Sequence, residues 1–231
     1  MQRTVLLTGA SRGIGRAIAK RLLDDGHRLS LGLRDPNASR GTEFDVDRVV
    51  HHAYDAKDPG SARAWVDATL SQWGEIDTLV HCAGIFHRTP LLFADGEEHD
   101  LEELWSINVK APWWLTRAAW PSLASSGRGR IQVLVSMSGK RVKGRMAGYP
   151  VSKFALMGLC QSMRNEGWDQ GIRVTAICPS WVNTDMARAV TAVEPAAMTQ
   201  PEDLASLSST LLSLPAASVP FELAMNCSLE T

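Results

Sequence analysis

The chain has 231 residues, 45% of them apolar, with 24 basic and 25 acidic side chains and a formal net charge of −1. That length suits one domain with a full core, and a balanced charge without a block of one sign argues against nucleic acid or an anionic membrane as a partner. Cys82, Cys160, Cys178 and Cys227 stand far apart, without Cys-x-x-Cys or metal-ligand spacing, which predicts no metal centre and reduced thiols in a cytoplasm.

No apolar stretch approaches the length of a membrane span. The opening Met1-Gln2-Arg3-Thr4-Val5-Leu6-Leu7 reaches Gly9 too soon for a signal peptide, so an intracellular protein is expected. Thr4 to Leu7 reads as a short buried strand, and Ile14, Ala17, Ile18 and Leu22 recur at helical spacing until Gly26 stops the helix. Between them lies Thr8-Gly9-Ala10-Ser11-Arg12-Gly13-Ile14-Gly15. A glycine turn between a first strand and a first helix is a phosphate cradle: the glycines admit a pyrophosphate close to the backbone, and the helix start offers free N–H groups and the positive end of its dipole.

The spacing Gly9-x-x-x-Gly13-x-Gly15 differs from the usual dinucleotide fingerprint and resembles the Thr-Gly-x-x-x-Gly-x-Gly pattern of the short-chain dehydrogenase/reductase family. The resemblance implies cofactor contacts from Gly9, Ser11, Arg12, Gly13, Ile14 and Gly15. Arg28 to Leu33 reads as a second strand, with Leu29, Leu31 and Leu33 alternating, and it runs into Arg34-Asp35. An acid near this point would hold the ribose 2′-hydroxyl of NAD, whereas an arginine suits a 2′-phosphate. Arg34 therefore points to NADP(H), with NAD(H) as the alternative and Asp35 as the opposing feature.

Residues 36–44 read as a polar loop and Arg48 to Tyr54 as a third strand leading to Asp55. The resemblance makes Asp55 an adenine contact; a turn or cap residue is the other reading. Ser61 to Trp73 reads as an amphipathic helix ended by Gly74, and Ile76 to His81 as a fourth strand. Cys82-Ala83-Gly84 follows, resembling the family's Asn-Asn-Ala-Gly segment with His81 and Cys82 in place of the two asparagines. Ala83 and Gly84 keep the small step on which a cofactor can lie. His81 and Cys82 read as a packed strand end before a metal or nucleophile pair.

Residues 96–124 read as two consecutive helices. In Ile107-Asn108-Val109, Asn108 matches the family's catalytic asparagine, which implies that it holds a helix distortion and a water beside the lysine. Trp113, Trp114 and Trp120 read as core or subunit interface. Arg130 to Val135 is a strand, followed by Ser136-Met137-Ser138-Gly139 and a basic loop over residues 140–148.

Tyr149 and Lys153, four apart at a helix start, lie on one face. A Tyr has a pKa of roughly 10, and a fixed ammonium beside it is expected to favour the phenolate and lower that value. Such a Tyr can give a proton to a carbonyl oxygen or take one from an alcohol. Ser136 stands thirteen residues before Tyr149, where the family has its catalytic serine, and Ser138 is the lesser candidate. Ile172 to Cys178 is a strand, and Pro179-Ser180-Trp181-Val182-Asn183-Thr184 resembles the family's Pro-Gly-x-Val-x-Thr grip on the nicotinamide, implying contacts from Pro179, Val182 and Thr184. Gln200-Pro201-Glu202-Asp203 caps a last helix to Leu214, and Phe221 to Cys227 reads as a closing strand. The family's Gly-Gly tail is missing from this sequence.

Strands and helices alternate throughout, so the expected fold is a single α/β domain over 1–231: a Rossmann-like, doubly wound parallel sheet with helices on both faces. The ligand crevice of such a sheet lies at the strand carboxyl ends. The resemblance implies an NADP(H)-dependent oxidoreductase acting on a small carbonyl or alcohol. Its catalytic set is Ser136, Tyr149, Lys153 and Asn108, Tyr149 and Lys153 also touch the cofactor, and the assembly is a homodimer or homotetramer. A non-catalytic cofactor-binding sensor or partner protein is the alternative; an enoyl reductase, with Tyr and Lys more widely spaced, fits less well.

Overall fold

The computed structural model describes residues 1–39 and 41–228. Seven strands form one sheet in the order β3-β2-β1-β4-β5-β6-β7: β1 Thr4–Thr8, β2 Arg28–Leu33, β3 Val49–Ala53, β4 Thr78–His81, β5 Arg130–Leu134, β6 Arg173–Pro179 and β7 Glu222–Met225. Every pairing is parallel. The helices are α1 Gly13–Asp24, α2 Pro59–Trp73, α3 Glu98–Trp105, α4 Ala111–Ser125, α5 Gly148–Gly167, α6 Asp185–Arg188 and α7 Pro201–Ser213. No helix among the described residues is long and apolar enough to cross a membrane.

Both faces of the sheet are covered because successive side chains of a strand point opposite ways. In β1, Val5 and Leu7 join one cluster with Ile18 and Leu22 of α1 and Leu204 and Leu211 of α7. Leu6 between them joins the other, with Trp65 of α2, Leu115 of α4 and Leu156 of α5. Trp65 fits because Gly32 has no side chain: a Cβ there would lie 2.5 Å from the indole. The indole Nε1 donates to Ser30 Oγ at 2.8 Å, so the buried ring leaves no orphan donor.

The helix ends follow local chemistry. Asp58 accepts from the N–H groups of Gly60 and Ser61 ahead of Pro59, and Gly74 closes α2 with φ +76°. Gln200 and Asp203 cap α7 reciprocally. The two helices expected over 96–124 are instead one continuous helical run, in which a π turn over Ser106–Lys110 joins α3 to α4. Of the polar loop 36–44, Pro36–Ser39 forms a short 3₁₀ turn and Arg40 lies outside the described residues, as do 229–231 at the end of the chain.

Candidate active site

Since all strands run parallel, the segments leaving their carboxyl ends meet along one edge of the sheet. Gly9, Arg34, Asp55, Cys82, Ser136 and Ser180 each stand at or just beyond such an end. The chain order reverses about β1 and β4, and there the glycine turn meets the end of β4. Gly9 has φ +77°, and a Cβ on it would lie 2.8 Å from Ala83 N. A Cβ on Gly15 would stand 2.2 Å from Gly9 O. The turn closes on itself and on Ala83 only with glycines at these places.

Thr8 completes this junction. Its Oγ1 accepts from both Cys82 N and Ala83 N at 3.1 Å, which gives the segment support although the usual asparagines are replaced. His81 Nε2 lies 2.9 Å from Thr116 Oγ1, and burial pushes the imidazole pKa down to about 4, so the ring is neutral. Burial also pushes the Cys82 thiol up to about 12. The pair is a packed strand end without a thiolate. Thr8→Val keeps the shape of the side chain and strands two backbone donors. We expect it to lower unfolding free energy by about 1–3 kcal/mol in urea titrations; an unchanged midpoint would show that the hydroxyl is dispensable.

Arg12 occupies the N-cap position of α1 but gives it no side-chain cap, so the first N–H groups face the crevice without a side-chain acceptor. Ser11 and Arg12 are exposed, and Ile14 packs against the core. Arg34, the first residue beyond β2, is also exposed, and neither arginine makes an ion pair or side-chain hydrogen bond among the described residues. Asp35 Oδ1 accepts from Asn37 N at 2.9 Å. Asp55 forms a similar turn, its Oδ1 accepting from Lys57 N at 2.8 Å.

At the other flank, Pro179 ends β6. Ser180 stands where glycine is usual, and its turn is tied down on both sides: Ser180 N donates to Met225 O at 2.8 Å and Cys227 N donates to Ser180 Oγ at 3.0 Å. Val182 pairs with Thr199 in an isolated bridge. Thr184 caps α6 and places Cγ2 3.2 Å from where a Cβ of Gly13 would be, so this segment reaches back to the glycine turn. Trp181 is half-buried.

The π turn explains Asn108. The residue is buried, and its carboxamide clamps the backbone of Ile85: Oδ1 accepts from Ile85 N at 3.0 Å and Nδ2 donates to Ile85 O at 3.1 Å. Nδ2 also donates to Ser152 Oγ at 3.1 Å, and Ser152 in turn donates to Tyr149 O at 2.7 Å. The helix distortion, the segment after β4 and the first turn of α5 are therefore joined through one amide.

Tyr149 lies in that first turn, with the Ser136 side chain beside its hydroxyl. Ser136 has φ 142°, a strained conformation for a non-glycine residue, and its Oγ also accepts from Ser138 N at 3.1 Å. Ser138 reaches this group through its backbone N–H. Lys153 Nζ donates to Leu134 O at 3.2 Å and lies 5.6 Å from the centre of the Tyr149 ring. A Cβ on Gly84 would stand 3.6 Å from that Nζ.

The electrostatics correct one expectation. The Tyr149 hydroxyl is pushed up to about 12, because burial opposes the phenolate and the Ser136 hydrogen bond offsets only part of it. Lys153 is brought down to about 8 by the same burial. Its ammonium sits over the ring, bonded to a backbone carbonyl, and the phenolate gains too little from it to overcome desolvation. The hydrogen bonds of Thr8 and Ser152 escaped the reading of the sequence. Phe86 packs on Tyr149 with ring centres 4.9 Å apart, and nothing in its spacing announces that contact.

The model of the family described as short chain dehydrogenase matches residues 3–195. Among curated proteins, an agropine synthesis reductase of Rhizobium rhizogenes is 37% identical over 204 residues, covering 88% of this chain and 47% of that protein. This chain thus spans about half the length of that relative. An alcohol dehydrogenase from the archaeon Thermococcus sibiricus, solved with 5-hydroxy-NADP, superposes with a TM-score of 0.87 at 27% identity, covering 97% of this chain and 96% of that one. A 3-ketoacyl-(acyl-carrier-protein) reductase from Brucella melitensis, solved with NADH, gives 0.86 at 25% identity and the same coverage.

Proposed function

The chain belongs to the short-chain dehydrogenase family, and from that premise we propose that it is an NADP(H)-dependent oxidoreductase of the carbonyl reductase type, acting between a carbonyl compound and its alcohol with Tyr149 as the proton carrier. The observation that carries the reading is the Tyr149 hydroxyl beside Ser136, with Lys153 over the ring, at the crevice edge of the sheet. The cradle fits a dinucleotide: Gly9 and Gly15 leave no room for a Cβ, and the start of α1 is open to a diphosphate. Gly13, Ala83, Gly84, Pro179, Val182 and Thr184 border the same space, and Asp55 stands where an adenine contact is expected. Of the two structural neighbours, one was solved with 5-hydroxy-NADP and the other with NADH.

A bound nicotinamide supplies the hydride or accepts it. The rest falls to this chain's residues. Ser136 donates to the substrate oxygen and orients it. Tyr149 holds its proton at neutral pH and gives it to that oxygen in reduction; in oxidation it must first lose it. Lys153, protonated below about 8, adds positive charge near the developing oxyanion and reaches toward Gly84, where a ribose would lie. Asn108 fixes Ile85 and, through Ser152, the turn that carries Tyr149. The test is NADPH consumption with a panel of aldehydes and ketones; cofactor binding without turnover on any of them would leave the sensor reading instead.

We place the protein in the cytoplasm, which suits its four free cysteines. A homodimer is expected as well. Trp113 of α4 is 56% exposed, and Val151 and Phe154 of α5 are 60% and 44% exposed. Trp114 and Trp120 pack against the core, so it is Trp113 that seeks a partner surface. Light scattering at micromolar concentration should give at least twice the chain mass, and Trp113→Glu should shift it toward monomer. A monomeric wild type would refute the dimer.

A further inference from the structure

The segment that follows β4 is held at nearly every residue. Asn108 clamps both backbone groups of Ile85. His87 Nε2 lies 3.2 Å from Glu103 Oε2 and its Nδ1 3.5 Å from Asp100 Oδ1, both on α3. Arg88 Nη2 donates to Val190 O at 3.1 Å, across to the segment after β6. Thr89 is buried; its Oγ1 donates to Asp100 Oδ2 at 3.1 Å and its carbonyl accepts from Ala147 N and Gly148 N, at the very start of α5. Phe86 is the exception. It lies between these anchors, and its ring meets Tyr149 at 4.9 Å and 60°.

The anchors do two things. They hold His87 and Thr89 on α3 and tie one Arg88 donor to Val190 O. They also fix where the Phe86 ring stands, since a ring flanked by restrained backbone keeps its direction. The two tilted rings pack against each other and together make a flat, apolar surface beside the reacting hydroxyl. Beyond it, the segments that leave β4, β5 and β6 expose Leu91, Leu92, Val142 and Met186. A polyhydroxylated substrate would meet no hydrogen-bonding side chain on Phe86, whereas a planar aromatic group can pack against its face or edge.

We propose that Phe86 is the specificity-determining wall of the substrate crevice and selects carbonyl compounds whose carbonyl bears a flat aromatic group. The proposal rests on the oxidoreductase reading above. Substrate oxygen bonds to Ser136 and Tyr149, and the adjoining ring lies along Phe86.

The test compares benzaldehyde with cyclohexanecarbaldehyde, flat and puckered rings of the same carbon count, together with an open-chain sugar aldehyde. Each is assayed with NADPH on the wild type, Phe86→Leu and Phe86→Tyr. The quantity read is the ratio of kcat/KM values for the first two substrates, since their intrinsic reactivities cancel between variants. Phe86→Leu should lower that ratio by about tenfold, the size of one good aromatic contact, while Phe86→Tyr should keep it. NADPH affinity by fluorescence and the melting temperature show whether each variant is folded. An unchanged ratio in folded Phe86→Leu, or a preference of the wild type for the sugar aldehyde, would overturn the proposal and leave the oxidoreductase reading intact. Wild-type protein that binds NADPH yet reduces none of the three would overturn both.

Discussion

Replacing Tyr149 by phenylalanine is expected to lower turnover by about 10²–10⁴-fold, the usual worth of a positioned general acid or base, while NADPH binding stays within a few tenths of wild type. Only the hydroxyl is removed. The ring keeps its contact with Phe86 at 4.9 Å, and Lys153 keeps its bond to Leu134 O at 3.2 Å. Because burial pushes the hydroxyl up to about 12, the group is a phenol at neutral pH and has a proton to give. Phenylalanine has none, and the substrate oxygen would then depend on water. The serines give an internal control. Ser136 stands beside the Tyr149 hydroxyl, whereas Ser138 touches the group only through its backbone N–H at 3.1 Å from Ser136 Oγ. Ser136→Ala should therefore lose much more activity than Ser138→Ala. Wild-type turnover in Tyr149→Phe would remove the proton-donor role, and the reverse order of the serine variants would move the substrate oxygen to Ser138.

Much of this arrangement was legible because local chemistry and global fold agree. Leu29, Leu31 and Leu33 alternate, and β2 runs over the expected Arg28–Leu33. Gly74 and the Gln200–Asp203 box end and begin helices where turn chemistry requires it. The strand ends then carry the glycine turn, Ala83 and Ser136 to one edge. What the sequence hid depends on tertiary packing. The π turn over Ser106–Lys110 has no period of its own, and only the resemblance pointed to a distortion at Asn108; it arises where Asn108 turns inward to hold Ile85, a residue 23 positions away. The Tyr149 pKa was misjudged because spacing reveals the neighbouring ammonium and says nothing of burial, which dominates here. Thr8 stood in plain view within the glycine motif, but its two N–H partners come from β4's far end, more than seventy residues later.

The cofactor choice should fall on NADPH, by about tenfold to a thousandfold in kcat/KM over NADH. An enzyme using NAD generally carries an acid after the second strand to bond the ribose hydroxyls. Here β2 ends at Leu33 and Arg34 is the next residue. Arg12, inside the glycine turn, is the second exposed guanidinium on this side of the crevice, and neither is tied up by a carboxylate among the described residues. A guanidinium matches a phosphate through paired hydrogen bonds and keeps its charge at any working pH. Each charge-assisted bond contributes roughly 1.5–3 kcal/mol, and solvent exposure reduces that, so the expected preference spans about two decades. Asp35 is the residue that could reverse the preference, by binding ribose hydroxyls and repelling a phosphate. Its Oδ1 accepts from Asn37 N at 2.9 Å, which ties one of the two carboxylate oxygens to its own turn. Neutralising one arginine should therefore hurt one cofactor only. With a single accepted carbonyl substrate, Arg34→Ala should lower kcat/KM for NADPH by about tenfold or more and leave that for NADH nearly unchanged, and Arg12→Ala should act in the same direction. Equal efficiencies in the wild type, or an equal loss with both cofactors in Arg34→Ala, would remove the phosphate role of Arg34 and return the ribose to Asp35.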